Sequence, residues 1–490
     1  MEFESLSGNP YYYDNEIGIA FPSNPLMKKL VSANPRQREE IAATEKNKED
    51  LLFYSRFLEK LNRIRPKQDG VKPRPPLDAE DIKPLIMRQG LQQIILGVTE
   101  NCNLRCRYCI YSETYSLSRN RTTKKMDLPT AKKALDYYVS LFLEGLEYNP
   151  TRMPAVTFYG GEPLMNFDLI KKCVEYLETT CPELDFLFSF TTNGTLLTEE
   201  KDDFLLEHGF FVNFSIDGPE EEHNRKRVYP KNRGSFADVM KNVQRFMEKK
   251  SDQCGAMCVY DYKSNPFELD AFFSLPDVPR LQNITVPSDR NGCNYYDQFS
   301  PEDIAAFRKT MTEAYSYYLE NDPYDEDAHA FFYRVFAESA SRLLYSPSVL
   351  NTRERVVFPY SGACIPGKKI FVDCTGNFHL CERVNEYFPI GNVNTGLDFQ
   401  SIATLINRYT EHLDSCGSCS INRACGKCYT SFTLDGSFEN ASAICKDDEN
   451  LKKIELSRVF SIGEACPDLL NIMVKDHYTW LSGVSSASGD

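Results

Sequence analysis

Between Gln93 and Val286 the chain alternates strand-like and helix-like segments through six strands. The apolar, β-branched runs are Gln93–Val98, Ala155–Tyr159, Phe186–Thr192, Phe211–Ile216, Met257–Tyr262 and Asn283–Val286. Helical periodicity fills Pro129–Leu146, Asp168–Thr179, Glu199–His208, Phe236–Lys249 and Pro266–Phe273. Such alternation requires parallel strands joined by right-handed crossovers, since each helix must cover the sheet face it leaves. The pattern therefore predicts an α/β fold, either an open barrel or a doubly wound sheet. Both architectures bind ligands at the C-terminal ends of their strands. The most unusual turns of this chain fall there: a cysteine loop after Val98, Gly160-Gly161, Asn193-Gly194 and Asp217-Gly218.

Cysteine usage divides the chain further. Of 17 cysteines, Cys102, Cys106 and Cys109 follow the first strand, and nine crowd between Cys364 and Cys466. Cys173, Cys181, Cys254, Cys258 and Cys293 are scattered and are expected to be small buried hydrophobes. The N-terminus, MEFESLSGNP, is polar and acidic rather than signal-like, and no run of about 18 apolar residues occurs. A cytoplasmic location is expected, with no membrane attachment. In that reducing setting dense cysteines point to metal rather than disulfides. The formal charge of −14, from 56 basic and 70 acidic side chains, argues against nucleic acid as a partner.

The first cluster reads Cys102-Asn103-Leu104-Arg105-Cys106-Arg107-Tyr108-Cys109. Three thiolates this close can ligate three irons of one [4Fe–4S] cube and leave the fourth iron open. A zinc site completed from elsewhere is the competing reading. The spacing of three and then two residues, with Tyr108 before the last cysteine, resembles the radical S-adenosylmethionine (SAM) superfamily. The resemblance implies a partial (β/α)6 barrel. It also implies that SAM chelates the open iron and is cleaved to a 5′-deoxyadenosyl radical, with Tyr108 near the adenine. Gly160-Gly161-Glu162-Pro163 matches the family's GGEP segment, which contacts the methionyl ammonium. Glycines allow close backbone approach, and a carboxylate pairs with an ammonium. Thr192-Asn193-Gly194-Thr195 resembles the family's TNGT turn. Ser215-Ile216-Asp217-Gly218-Pro219, followed by His223 and Arg227, resembles its S-x-D-G-P…H…R run. By that resemblance Ser215 binds the ribose or carboxylate side of SAM, and Arg227 or Arg225 its carboxylate.

The second cluster spaces Cys364-x11-Gly376-x4-Cys381, then Cys416-x2-Cys419-x5-Cys425-x2-Cys428, then Cys445. On their own, the two CxxC pairs suit a zinc ribbon. The whole pattern resembles the SPASM domain, a C-terminal extension carrying two auxiliary [4Fe–4S] clusters, which makes three clusters in all. The family leaves three residues in the last gap of the central run, where this chain has only Gly426 and Lys427. The resemblance assigns Cys364, Cys381 and Cys428 to an inner cluster, and Cys416, Cys419, Cys425 and Cys445 to an outer one. Cys374 is either a fourth inner ligand or a buried residue outside the site. Cys466 is read as non-ligating.

Five regions result: a unit over 1–85, the barrel over 91–300, a helical bridge over 301–359, the cysteine-rich domain over 360–460 and a tail over 461–490. In the first, Tyr11–Phe21 reads as a hairpin turning at Asp14-Asn15, helical pattern runs from Pro25 to about Leu61, and Arg65–Pro76 is a linker. Charge nearly balances there, so the acidity lies downstream. This unit resembles the winged-helix elements with which peptide maturases bind a leader by strand addition; a capping subdomain is the plainer reading. The overall resemblance is to SPASM peptide maturases that form sactipeptide- and ranthipeptide-type thioethers. It implies a ribosomally made precursor peptide, with a leader and a cysteine-containing core, and an electron donor such as flavodoxin or ferredoxin. Carbon–carbon or ether crosslinking, and oxidation of a sulfatase residue to formylglycine, are the alternative activities. The sequence names no catalytic base.

Overall fold

The computed structural model describes residues 1–65, 76–290, 292–338, 362–445 and 447–472. Nearly all of the expected linker, the later part of the 301–359 bridge and most of the tail lie outside these residues.

The six expected strands form a parallel run. They are β4 (Gln93–Thr99), β5 (Ala155–Gly160), β6 (Leu187–Thr192), β7 (Phe211–Ser215), β8 (Cys254–Val259) and β9 (Leu281–Thr285). Each pairs with the next in chain order, from β4 to β9. Strand order that never reverses has no switch point, so the connections wind one way. That resolves the fold as an open barrel rather than a doubly wound sheet. β4 is buried from Ile94 to Thr99, as a central strand covered on both faces must be.

Helices α5 (Leu128–Gly145), α6 (Phe167–Thr180), α7 (Glu199–Glu207), α9 (Phe236–Lys249) and α10 (Pro266–Phe273) cover the outside. Asp127 caps α5 by accepting from the Thr130 amide, and Pro129 sits in its first turn, where a missing N–H costs nothing. Phe158, Phe188 and Phe210 stack between sheet and helices, with ring centroids 5.3–5.9 Å apart, and fill the core there.

Two details differ from expectation. β8 begins at Cys254 rather than Met257, because Gly255 can enter the strand. A Cβ at that position would stand 2.1 Å from Cγ of Gln282, so the glycine marks a close approach rather than a turn. A further helix, α8 (Glu220–Lys226), follows β7; its seven residues, EEEHNRK, carry no apolar stripe from which to read it.

The cysteine-rich segment begins with strands. β10 (Lys369–Val372) adds in parallel to the free edge of β4, and β11 (Asn377–His379), β12 (Pro389–Asn392) and β13 (Gly396–Leu397) continue antiparallel. Strands of two to four residues offer too few alternations to register as a pattern. The result is one ten-stranded sheet that carries Cys374 and Cys381 to the barrel's edge.

The N-terminal residues form a three-stranded antiparallel sheet, β1 (Glu2–Glu4), β2 (Pro10–Asp14) and β3 (Ile19–Pro22), under α1 (Pro25–Ser32), α2 (Pro35–Thr44) and α3 (Lys48–Ile64). The helical stretch breaks where Asn24, Asn34 and Asn47 each cap a new helix. Ile17, Phe21, Met27, Leu30, Leu58 and Leu61 give this unit its own core. It then docks on the C-terminal helix Asp448–Ala465: Phe3 and Tyr11 pack on Phe460, and the Tyr11 hydroxyl donates to Glu464 at 2.6 Å. No helix among the described residues is long and apolar enough to cross a membrane.

Candidate functional site

The cysteine loop leaves the C-terminal end of β4 and is held by the loops beside it. Glycine is required at two of these contacts. A Cβ on Gly160 (φ +134°) would lie 2.0 Å from the Thr99 carbonyl oxygen, and one on Gly161 would lie 2.2 Å from that of Asn101. Nothing larger allows β5 to approach this loop. The amides of Gly161 and Glu162 donate to those same two carbonyls, at 2.7 and 2.9 Å. From the other side, the amides of Arg105 and Arg107 donate to the carbonyls of Val228 and Lys226.

Glu162 is 1% exposed. Its carboxylate accepts from the Thr192 hydroxyl at 2.6 Å, the Asn193 amide at 2.8 Å and the Leu164 amide at 3.1 Å. Burial raises its pKa, while these three donors and Arg227 oppose the rise. The Asn193 side chain in turn donates to Asn103 at 2.9 Å and approaches the Cys102 sulfur at 3.9 Å. The second and third strand ends are thus tied to each other and to the cysteine loop.

Tyr108 is half-buried beside the end of β7. Its hydroxyl donates to Asp217 at 2.8 Å and accepts from Arg227. Asp217, fully buried, also accepts from the Val259 amide at 3.1 Å, so it anchors the tyrosine rather than facing open space. His223, 0% exposed, backs this turn by accepting from the Asp217 amide at 3.5 Å and bonding Ser235 at 3.0 Å. Ser215 ends β7 half-buried, and its hydroxyl has no hydrogen-bond partner among the described residues.

The two arginines separate. Arg225 is fully engaged: its guanidinium donates to both oxygens of Glu222 and both of Asp261, at 2.7–2.9 Å. Arg227 is 7% exposed, and its Nε has no partner among the described residues. Burial opposes its charge, but Cys106, Tyr108 and Asp217 outweigh that and raise its pKa.

The three thiols are mutually close enough to feel one another. Burial first, then Glu162, pushes the Cys102 thiol up to about 11; burial, partly offset by Arg227, pushes Cys106 up to about 12. As free thiols Cys102 and Cys106 stay protonated near neutrality, and binding iron would displace those protons. The donor set fits a cluster that leaves one position open: three thiols in one loop, a buried guanidinium whose Nε has no partner among the described residues, and a free serine hydroxyl at the end of β7.

The C-terminal thiols show two sets of electrostatic coupling. Cys425 and Cys419 follow burial in pushing Cys416 up to about 11, and Cys425 is among the groups that raise Cys445 to about 12 after burial and Asp448. Separately, Cys428 is among the groups that raise Cys381, after burial and Glu382, and Cys364 and Cys428 both act on the buried Tyr429. Cys374 stands apart: its buried thiol donates to the Gly97 carbonyl at 3.0 Å, and its charged neighbours are Glu100, Asp373 and Lys124. Among the described residues no three His, Cys, Asp or Glu side chains converge on a single-ion site. Asn103, His223, Asp261 and Arg119 also shape the region. Only Asn103, inside the motif, and His223, within the S-x-D-G-P…H…R run, carried a sequence signal.

A barrel with such a loop at its mouth defines an iron–sulfur, SAM-dependent class of enzyme. The profile of the Radical SAM superfamily matches residues 96–274. Uncharacterized protein MJ0907 of Methanocaldococcus jannaschii is 34% identical over 310 residues, covering 63% of this chain and 91% of that one. The cysteine-type anaerobic sulfatase-maturating enzyme of Clostridium novyi is 30% identical over 158 residues, covering 32% of this chain and 40% of that one. The solved structure of anSMEcpe with bound AdoMet and Cp18Cys peptide shares the fold: TM-score 0.56, 19% identity, covering 78% of this chain and 99% of that one. This chain belongs to the radical SAM superfamily.

Proposed function

We propose that the chain is a peptide maturase that closes a thioether between a cysteine and a carbon of a ribosomally made precursor. The observation that carries this reading is the second set of thiols. Cys425 is electrostatically coupled to Cys416, Cys419 and Cys445, and Cys428 to Cys381 and, with Cys364, to Tyr429, which supports reading the first four as one ligand group and the other three as a second. In a SPASM arrangement they hold two auxiliary clusters, and an inner cluster with three protein ligands has room for a substrate thiol.

Around the first cluster the chain's residues have distinct tasks. Cys102, Cys106 and Cys109 hold it. Arg227 supplies its unpartnered N–H to the SAM carboxylate, whereas Arg225 braces α8 against Asp261. Glu162 fixes the glycine turn that faces the ammonium, and Ser215 offers a free hydroxyl. Bound there, cluster and SAM supply one-electron chemistry strong enough to remove hydrogen from an unactivated carbon.

Two further observations support a polypeptide substrate. The relative from Clostridium novyi is named for maturing sulfatases, and anSMEcpe is seen with a peptide. In the N-terminal unit the outer edge of β3 is unpaired among the described residues. Next to it, Phe53 is 63% exposed on α3, one turn before Phe57, whose ring packs 5.1 Å from Phe21 of β3. An open edge beside an apolar helix face suits an extended leader.

The test is anaerobic incubation of iron-reconstituted enzyme, SAM and reductant with the cysteine-bearing peptides encoded beside its gene. The expected product lacks two hydrogens per crosslink and one alkylatable thiol per loss. No mass change on any such peptide contradicts the reading. Hydrogen loss with thiols unchanged replaces it with carbon–carbon or ether crosslinking. The second reading, formylglycine formation, is favoured by the name of the Clostridium novyi relative; its aldehyde would be trapped by a hydrazide.

A further inference from the structure

Arg119 lies in the loop beyond the radical-cluster cysteines and is 3% exposed. One nitrogen, Nη1, donates to the carbonyl of Glu382 at 2.6 Å, the residue after Cys381. The guanidinium also lies 4.3 Å above the ring of Phe371. Its Nε stands 3.7 Å from a Glu386 oxygen, beyond hydrogen-bonding reach, and Nε and Nη2 have no hydrogen-bond partner among the described residues. Two buried donor nitrogens without acceptors are costly to leave unpaired. The guanidinium is nonetheless held at one nitrogen and on one face, which is how a binding group is held ready.

Arg119 borders a narrow recess whose walls include Tyr111, Phe371 and Cys374. Tyr111 follows Cys109 by two residues, and the Glu382 contact ties the opposite side to Cys381. The recess therefore lies between the two cysteine groups. Its other charged walls are Glu100, Asp373 and Glu386. Asp373 is saturated by Thr375, Asn377 and His379, and Glu100 accepts from Thr122. Negative charge is thus already in excess around Arg119. What the guanidinium lacks is acceptors, not an anion.

We propose that Arg119 binds a neutral amide carbonyl of the substrate and so positions it between the radical-cluster loop and the Cys381 segment. The inference rests on the peptide-maturase reading. Main-chain and side-chain amides share this chemistry, and the test separates them.

The probe is the cysteine-bearing precursor encoded beside the gene, assayed with the holoenzyme and with Arg119→Gln and Arg119→Lys. Losing hydrogen bonds from a charged donor predicts a peptide KM raised on the order of tenfold or more for Arg119→Gln. It also predicts more SAM cleaved per crosslink. Arg119→Lys keeps the cation without the planar fork and should fall between; it serves alone if the glutamine variant does not fold. Replacing single Asn or Gln residues of the precursor with Ala should leave the Arg119 dependence in place if a main-chain carbonyl is bound. Should one such replacement abolish it, the bound amide is that side chain. Variants with wild-type KM and coupling overturn the inference and leave the maturase reading intact. So does an Arg119 dependence that disappears when one Asp or Glu of the precursor becomes its amide, since the site then binds a carboxylate. A wild-type enzyme that neither binds nor modifies the precursor overturns both.

Discussion

Changing Cys102, Cys106 and Cys109 together to alanine should abolish SAM cleavage and remove about four of about twelve irons, one cube of three. The loss follows from geometry. All three thiols belong to one loop. The fold should survive, because the loop is held by its backbone: Arg105 and Arg107 donate to Val228 and Lys226, and Leu104 is 1% exposed. Glu162 keeps its contacts with Thr192 and Asn193, which do not involve sulfur. Iron content, formation of 5′-deoxyadenosine and the circular dichroism spectrum check this together. Cleavage that persists at the wild-type rate would remove these cysteines from the site.

The paired change Cys416→Ala and Cys419→Ala should have the opposite signature. About four irons are lost, SAM cleavage remains, and crosslinked product disappears. Stability should fall as well, since metal binding and folding are coupled where regular structure is sparse. Short 3₁₀ turns, Leu413–Ser418 and Asn422–Ala424, make up this segment. It is also the platform for the N-terminal unit. The Asn15 side chain donates to the Cys419 carbonyl at 3.0 Å and to Asn422 at 2.9 Å, and its oxygen accepts from the Arg423 amide at 3.2 Å. Loosening the outer thiol group should therefore free the β2–β3 turn, seen as faster proteolysis near Asn15. Unchanged iron in the double variant would contradict the assignment.

The barrel and its cysteine loop were legible because their signals are local and redundant. Strand follows helix with the correct period, and the glycines stand where only a hydrogen fits. Other features were not legible, for physical reasons. Arg225 and Arg227 are two residues apart at the end of α8, so sequence could not say which one Asp261 and Glu222 would consume. Cys374 shares the spacing of a ligand, but the pairing of β10 with β4 turns its thiol onto Gly97. The strands β10–β13 are too short to show alternation. Arg119 belongs to no motif, and its role depends on an absence of partners that only three dimensions reveal.

The proposed function requires three iron–sulfur clusters on the cysteines of this chain. Metal analysis of anaerobically purified, reconstituted protein tests it most directly. About twelve irons per chain and no zinc are expected. Zinc at about two per chain, held by the cysteine pairs that would equally suit a ribbon, would contradict it.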